Sequence, residues 1–200
     1  MKSIKKILLF TLLLIGSPLT THAAQDAVVI FETSAGSFEV TVFPDQAPLT
    51  ASNFLKLVDQ GHYNGTIFHR VIKNFMIQGG GLNREMDKIG GVKPIQNEAD
   101  NGLQNRKGTI AMARTGDPHS ATDQFFINTK DNTSLDHTGK TMRGWGYAVF
   151  GKVSKGMEVV MQIEDSPTTT KKGRRDVPAT TIEIIKVTRK QPAPEQAVGR

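Results

Sequence analysis

Short runs of β-branched and aromatic residues recur along most of the chain, each ended within a few positions by Gly, Asn, Ser or Pro. Segments this short cannot bury an apolar face as isolated elements, so the chain has to build a sheet that packs on itself. Residues 27–43 read as two strands: Val28-Val29-Ile30-Phe31 leads to the turn material Ser34-Ala35-Gly36, after which Phe38, Val40 and Val42 alternate with Ser37, Glu39 and Thr41. Two more strands fall within 66–79, parted by Lys73-Asn74, and others over 109–113, 124–128, 148–153 and 181–188. Only two segments carry helical spacing. Over 48–60, Pro48 suits a first turn, Ala51, Phe54, Leu55 and Val58 share a face, and Gly61 follows as a cap. The second helix covers 157–164. A glycine- and asparagine-rich stretch opens at Gly79-Gly80-Gly81 and runs to 108. The pattern predicts a mainly β domain, a closed barrel or a sandwich, with two isolated helices.

The length of 200 residues suits one domain, placed over 25–190. Residues 1–24 stand apart from it. Lys2, Lys5 and Lys6 precede an apolar run over 7–15, Gly16-Ser17-Pro18 break that run, and small residues follow at Ala23-Ala24. This is the layout of a cleaved signal peptide, and the run is about half of the roughly 20 apolar residues a membrane span needs. The mature protein is therefore expected outside the cytoplasm, without a membrane anchor. The Pro- and Ala-rich tail over 191–200 is expected to be disordered. Cleavage would remove three of the 25 basic residues and none of the 19 acidic ones, lowering the net charge from +6 to +3. The remaining basic cluster, Lys171, Lys172, Arg174 and Arg175, reads as a solvated loop. A nucleic-acid partner would need a broader basic face, so none is expected. With no cysteine, the chain has no disulfide, no thiolate nucleophile and no Cys-ligated metal.

Familiar catalytic signatures are missing from the sequence: no G-x-S-x-G, H-E-x-x-H, P-loop or G-x-G-x-x-G. Among His22, His62, His69, His119 and His137, no two have ligand spacing, so no metal site is expected. Asp117 and Asp123 read as ordinary loop acids. The unusual stretch is FHRVIKNFMIQGG (68–80). An arginine inside an apolar strand, Arg70, is costly unless its guanidinium reaches a groove or a partner, and Phe75, Met76 and Gln78 follow it closely. Over 124–128, alternation puts Gln124, Phe126 and Asn128 on one face and turns Phe125 and Ile127 to the core. Periodicity alone leaves Phe75, Met76 and Phe126 readable as plain core residues.

The blocks FHRVIKNFMIQGG, GTIAMAR (108–114), DQFFINT (123–129) and YAVFGKV (147–153), in this order, resemble the cyclophilin-type peptidyl-prolyl cis-trans isomerases, and most of all the bacterial periplasmic ones. The similarity covers about 27–188. It implies a closed eight-stranded antiparallel β-barrel capped by two helices, and an isomerase that needs no cofactor. By the same resemblance Arg70 is the catalytic arginine, Phe75, Met76, Phe126 and Leu135 form the proline pocket, Gln78 bonds the peptide backbone, and Gln124 and Ala113 line the groove. Three positions depart from the best-known eukaryotic members. Arg114 stands where an asparagine contacts the peptide, Tyr147 where a histidine lines the pocket, and Ser134 where a tryptophan binds cyclosporin, so cyclosporin sensitivity is expected to be weak. The loop over 137–146, with Trp145, is long. The expected partners are proline-containing segments of folding exported proteins in the periplasm, met by a monomer. Two alternatives stay open on the residues themselves: a proline-segment binder without turnover, and a lipocalin-like carrier holding Phe75, Met76 and Phe126 inside its barrel.

Overall fold

The computed structural model describes residues 27–191. The signal peptide expected over 1–24 and all but the first residue of the expected tail lie outside the described residues. Among those described, the strands are β1 (Ala27–Thr33), β2 (Gly36–Val42), β3 (Thr66–Ile72), β4 (Met76–Asn83), β5 (Thr109–Met112), β6 (Phe125–Asn128), β7 (Val149–Lys155), β8 (Thr168–Lys171), β9 (Arg174–Pro178) and β10 (Glu183–Arg189). Helix α1 (Pro48–Asp59) separates β2 from β3, and α2 (Met157–Glu164) separates β7 from β8. Eight strands close a barrel in the order β1-β10-β3-β4-β6-β5-β7-β2, each neighbouring pair antiparallel.

Alternation fills the barrel. In β1 and β2 every second residue, Val29, Phe31, Phe38, Val40 and Val42, is buried, and the cross-strand partners Phe31 and Phe38 stack with ring centroids 4.7 Å apart. Helix α1 adds Phe54 and α2 adds Val160 and Ile163 to the same cluster. Phe125 of β6 meets Phe31, Phe54, Tyr63 and Phe68 edge-on at 5.5–6.1 Å. The interior is thus packed with rings, which overturns the carrier reading. Met76 and Phe126 belong to a separate cluster with Ala111 and Val149, packed against Phe75, Leu135 and Tyr147.

Strict alternation would place Arg70 on the same face as Phe68. It does not, because β3 is bulged. Phe68 pairs with Gly79 and Arg70 with Gln78, so His69 is an extra residue in the ladder. The bulge reverses the alternation: Phe68 and Val71 both enter the main core, and Arg70 between them points away from it. The cost falls on His69, which is 6% exposed and has no partner for Nδ1 among the described residues.

Two local expectations are corrected. The second strand expected within 66–79 does not end at 79: Gly79-Gly80-Gly81 lies within β4, which runs on to Asn83; a Cβ on Gly80 would stand 2.8 Å from the Phe125 ring and 2.9 Å from the Tyr63 ring, with φ +88° besides. The basic cluster is not a loop but the β8–β9 hairpin. Lys172 (φ 45°) and Gly173 (φ 73°) both take the left-handed backbone at its tip, as a two-residue hairpin turn requires. Val177 of β9 joins Ile67, Leu82 and Met86 in a small core of their own, which ties the hairpin to β3 and β4.

Burial pushes the His69 imidazole down from 6.5 to about 4, with the Arg174 and Arg70 charges acting in the same direction against a hydrogen bond to Ile67 and the Asp123 charge. The unfolded chain therefore takes up this proton first as pH falls. Stability is lost from about pH 7 down to about pH 4, by roughly 3 kcal/mol at the low end. Urea unfolding across that range is expected to be less steeply pH-dependent in His69→Gln than in the parent protein.

Candidate active site

A row of side chains crosses four strands on the outer face of the barrel. Arg70 of β3 pairs with Gln78 of β4, Gln78 with Phe126 of β6, and Phe126 with Ala111 of β5. Directly opposed residues share a face, so the bulge that turns Arg70 outward also sets it in line with Gln78 and Phe126. Met76, two residues before Gln78 on β4, falls on the same face, and Phe75 precedes it in the turn from β3.

These residues and the loops above them enclose a cavity of about 100 Å³, lined by Arg70, Phe75, Met76, Gln78, Ala113, Arg114, Phe126, Leu135 and Tyr147. Drug-sized ligands occupy roughly 300–1,000 Å³; this space suits a single small ring. A larger groove of about 640 Å³, between Ala27, α1 and Arg189, shares no residue with it. Nine of the ten site residues expected from the sequence thus meet at one place. Gln124, the tenth, reaches the cluster through Gln78, whose Nε2 donates to Gln124 Oε1 at 3.0 Å. Trp145 does not line the cavity; it packs against His119 and His137. Ser134 is exposed beside Leu135.

Arg70 is held loosely by the protein. Nη1 donates to Gln78 Oε1 at 3.5 Å, and Nε stands 3.8 Å from Asp176 Oδ2 of β9. Among the described residues none bonds Nη2, so that edge of the planar, permanently charged fork is available to a ligand. Arg114 is different. Its Nε donates to the Gly146 carbonyl and its Nη1 to the Thr115 carbonyl, both at 2.9 Å, and its guanidinium lies 4.5 Å over the Tyr147 ring. Tyr147 in turn meets Phe126 edge-on at 5.6 Å. Arg114, Tyr147 and Phe126 form a braced wall.

Sequence reasoning missed what positions this wall. Buried Asn105 donates from Nδ2 to the carbonyls of Leu135 and Tyr147. Asn132 Nδ2 donates to the Phe75 carbonyl and to Asn128 Oδ1, each at 2.7 Å. Side-chain amides thus hold the loops that carry Phe75, Leu135 and Tyr147. Only Asn128, by its place in the β6 alternation, was detectable beforehand. Asp123 is buried for a structural reason: it pairs with His62 at 3.1 Å.

Residues 28–189 match the family of cyclophilin type peptidyl-prolyl cis-trans isomerases. The chain belongs to that family. It is 54% identical to the peptidyl-prolyl cis-trans isomerase cyp18 of Streptomyces antibioticus, over 79% of this chain and 95% of that protein. It is 49% identical to peptidyl-prolyl cis-trans isomerase B of Escherichia coli K12, over 80% and 98%, and 50% identical to isomerase A of Dickeya dadantii, over 81% and 84%. Among solved structures, a cyclophilin type isomerase of Cryptosporidium parvum superposes with a TM-score of 0.70 at 29% identity, covering 84% of this chain and all of that one. A second crystal structure of that protein, determined in the presence of the dipeptide Ala-Pro, gives 0.68 at the same identity and coverage. The closed barrel with two helices is this family's fold.

In this isomerase, Gly81 leaves room for the glutamine pair. A Cβ there would overlap Gln124 Cγ and stand 2.6 Å from Gln124 Nε2. Gly81→Ala is expected to expel Gln124 and break its bond to Gln78. One neutral hydrogen bond of roughly 1 kcal/mol predicts a loss of about fivefold in kcat/KM on a proline peptide, with little change in unfolding midpoint. Adding Gln124→Ala to Gly81→Ala should then cost nothing further.

Proposed function

We propose that this peptidyl-prolyl cis-trans isomerase turns X-Pro bonds at the outer-face cavity, with the proline ring seated against Phe75, Met76, Phe126 and Leu135 and the twisted amide stabilised by Arg70. The observation that carries the reading is a guanidinium with open donors at the rim of a small cavity whose lining includes Phe75, Met76, Phe126 and Leu135. The Ala-Pro dipeptide present with the related C. parvum isomerase supports the choice of ligand.

The chemistry asks for little. Amide resonance sets a barrier of roughly 18–20 kcal/mol, so an X-Pro bond turns over in tens to hundreds of seconds. As the bond twists, the proline nitrogen loses conjugation and becomes a better hydrogen-bond acceptor. A donor waiting there interacts more strongly with the twisted state than with either planar one, and only such a difference lowers a barrier. Arg70 supplies the donor, the apolar floor holds the ring while the preceding carbonyl swings, and Gln78 and Gln124 hold the neighbouring backbone. No bond is made or broken and no cofactor is called for. An acceleration of about 10⁵ takes roughly 7 kcal/mol; one preorganised donor supplies about 3–4 kcal/mol, and orientation in the pocket the rest. The N-terminal 1–24 motif supports export, with folding periplasmic proteins as substrates and slow proline isomerisation as the step relieved.

A protease-coupled assay on a short X-Pro peptide tests this. Arg70→Ala is expected to lower kcat/KM by about 10²–10³ while the fold survives; a loss under about fivefold would sink the assignment. Phe126→Ala should act mainly by raising KM. Peptide binding without any acceleration in the parent protein would instead mark a proline-segment binder.

A further inference from the structure

The β8–β9 hairpin brings a carboxylate to the guanidinium on which the proposed reaction turns. Asp176 Oδ2 lies 3.8 Å from Arg70 Nε, with each side chain 43% exposed. A pair this open adds little to folding stability, yet the chain is bent to make it. Asp176 sits inside a strand at φ 61°, a left-handed backbone that Asp and Asn tolerate better than other side chains apart from Gly. The ladder around it is irregular. Thr169 pairs with Val177 and Lys171 with Arg174, so Arg175 and Asp176 together face the single residue Thr170. This is a β-bulge, a device that re-aims a side chain. The next residue, Val177, is buried with Ile67 of β3, so the bulge is fixed to the strand that carries Arg70.

We propose that Asp176 is a positioning residue for the isomerase reaction, holding Arg70 at Nε while Gln78 holds it at Nη1. The guanidinium then has a long polar contact at two of its three nitrogens, from two different strands, and turning it away from this orientation gives up both. Nη2, bonded by none of the described residues, is the donor this leaves open beside the cavity before substrate arrives, and preorganisation of the donor is what makes it effective. This role rests on the assignment of Arg70 in the proposed function.

The backbone at this position dictates the test. Asp176→Asn keeps the size and the tolerance of positive φ while removing the charge; Asp176→Gly keeps the backbone and removes the side chain. Both are expected to lower kcat on an X-Pro peptide by about three- to tenfold, with KM within about twofold and urea midpoints unchanged. The double variant Arg70→Ala/Asp176→Asn should be no slower than Arg70→Ala alone, a result that a merely structural role would not produce. Unchanged or raised kcat in both single variants, beside an inactive Arg70→Ala, would overturn the positioning role alone, as would a double variant slower than Arg70→Ala. Near-normal turnover by Arg70→Ala would overturn the Arg70 assignment and this role with it.

Discussion

The structure turns on the ring of Phe125. It lies at the centre of the barrel, edge-on to Phe31, Phe54, Tyr63 and Phe68, so two strands, a helix and a loop all register against one side chain of β6. Phe125 is fully buried, and its sequence neighbour Phe126 faces the opposite way into the outer cluster. Adjacent residues of a strand point to opposite faces without exception in a regular ladder. The packing that fixes Phe125 therefore fixes the floor of the cavity, and core and site are two sides of one short strand.

Two bulges break this regular frame at the proposed site. The one at His69 sends Arg70 out of the barrel; the one at Arg175 and Asp176 sends a carboxylate to meet it. Neither makes sense as a stabilising feature. The first buries an imidazole whose Nδ1 has no partner among the described residues, and the second takes a left-handed backbone at a residue with a side chain. Irregularity and functional geometry coincide here because alternation, left alone, would have put the arginine among the phenylalanines.

Much of this was legible in the amino-acid sequence. The strands of β1 and β2, the faces of α1 and the alternation of β6 follow from side-chain period, which is local. The family blocks located Arg70, Phe75, Met76, Gln78, Ala113, Arg114, Gln124, Phe126, Leu135 and Tyr147, nine of which line one cavity. What stayed hidden depends on partners distant in sequence. The threonines of β8 and the basic residues of β9 carry no apolar alternation, so the hairpin reads as a solvated loop in the sequence, and its anchor, Val177 against Ile67, Leu82 and Met86, exists only in the folded chain. The glycines of β4 mimic a loop because their reason for being glycine, the close approach of Phe125, Tyr63 and Gln124, comes from other segments. Asn105 and Asn132 carry no sequence signal of their own, and only the folded chain brings their amides to the carbonyls of Leu135, Tyr147 and Phe75.

Closure of the eight-stranded ring has a consequence for the surroundings in which such a protein operates. An unpaired strand edge is a template on which another extended chain can add itself. Every barrel strand here already has a neighbour on each side, and the hairpin outside the ring is short: its four-residue β8, Thr-Thr-Thr-Lys, is almost wholly exposed and ends in a charge, and its five-residue β9 opens on Arg174-Arg175 and ends at Pro178. Short, polar edges of that kind discourage further pairing. The molecule can be crowded by extended polypeptide without becoming the seed of a growing sheet.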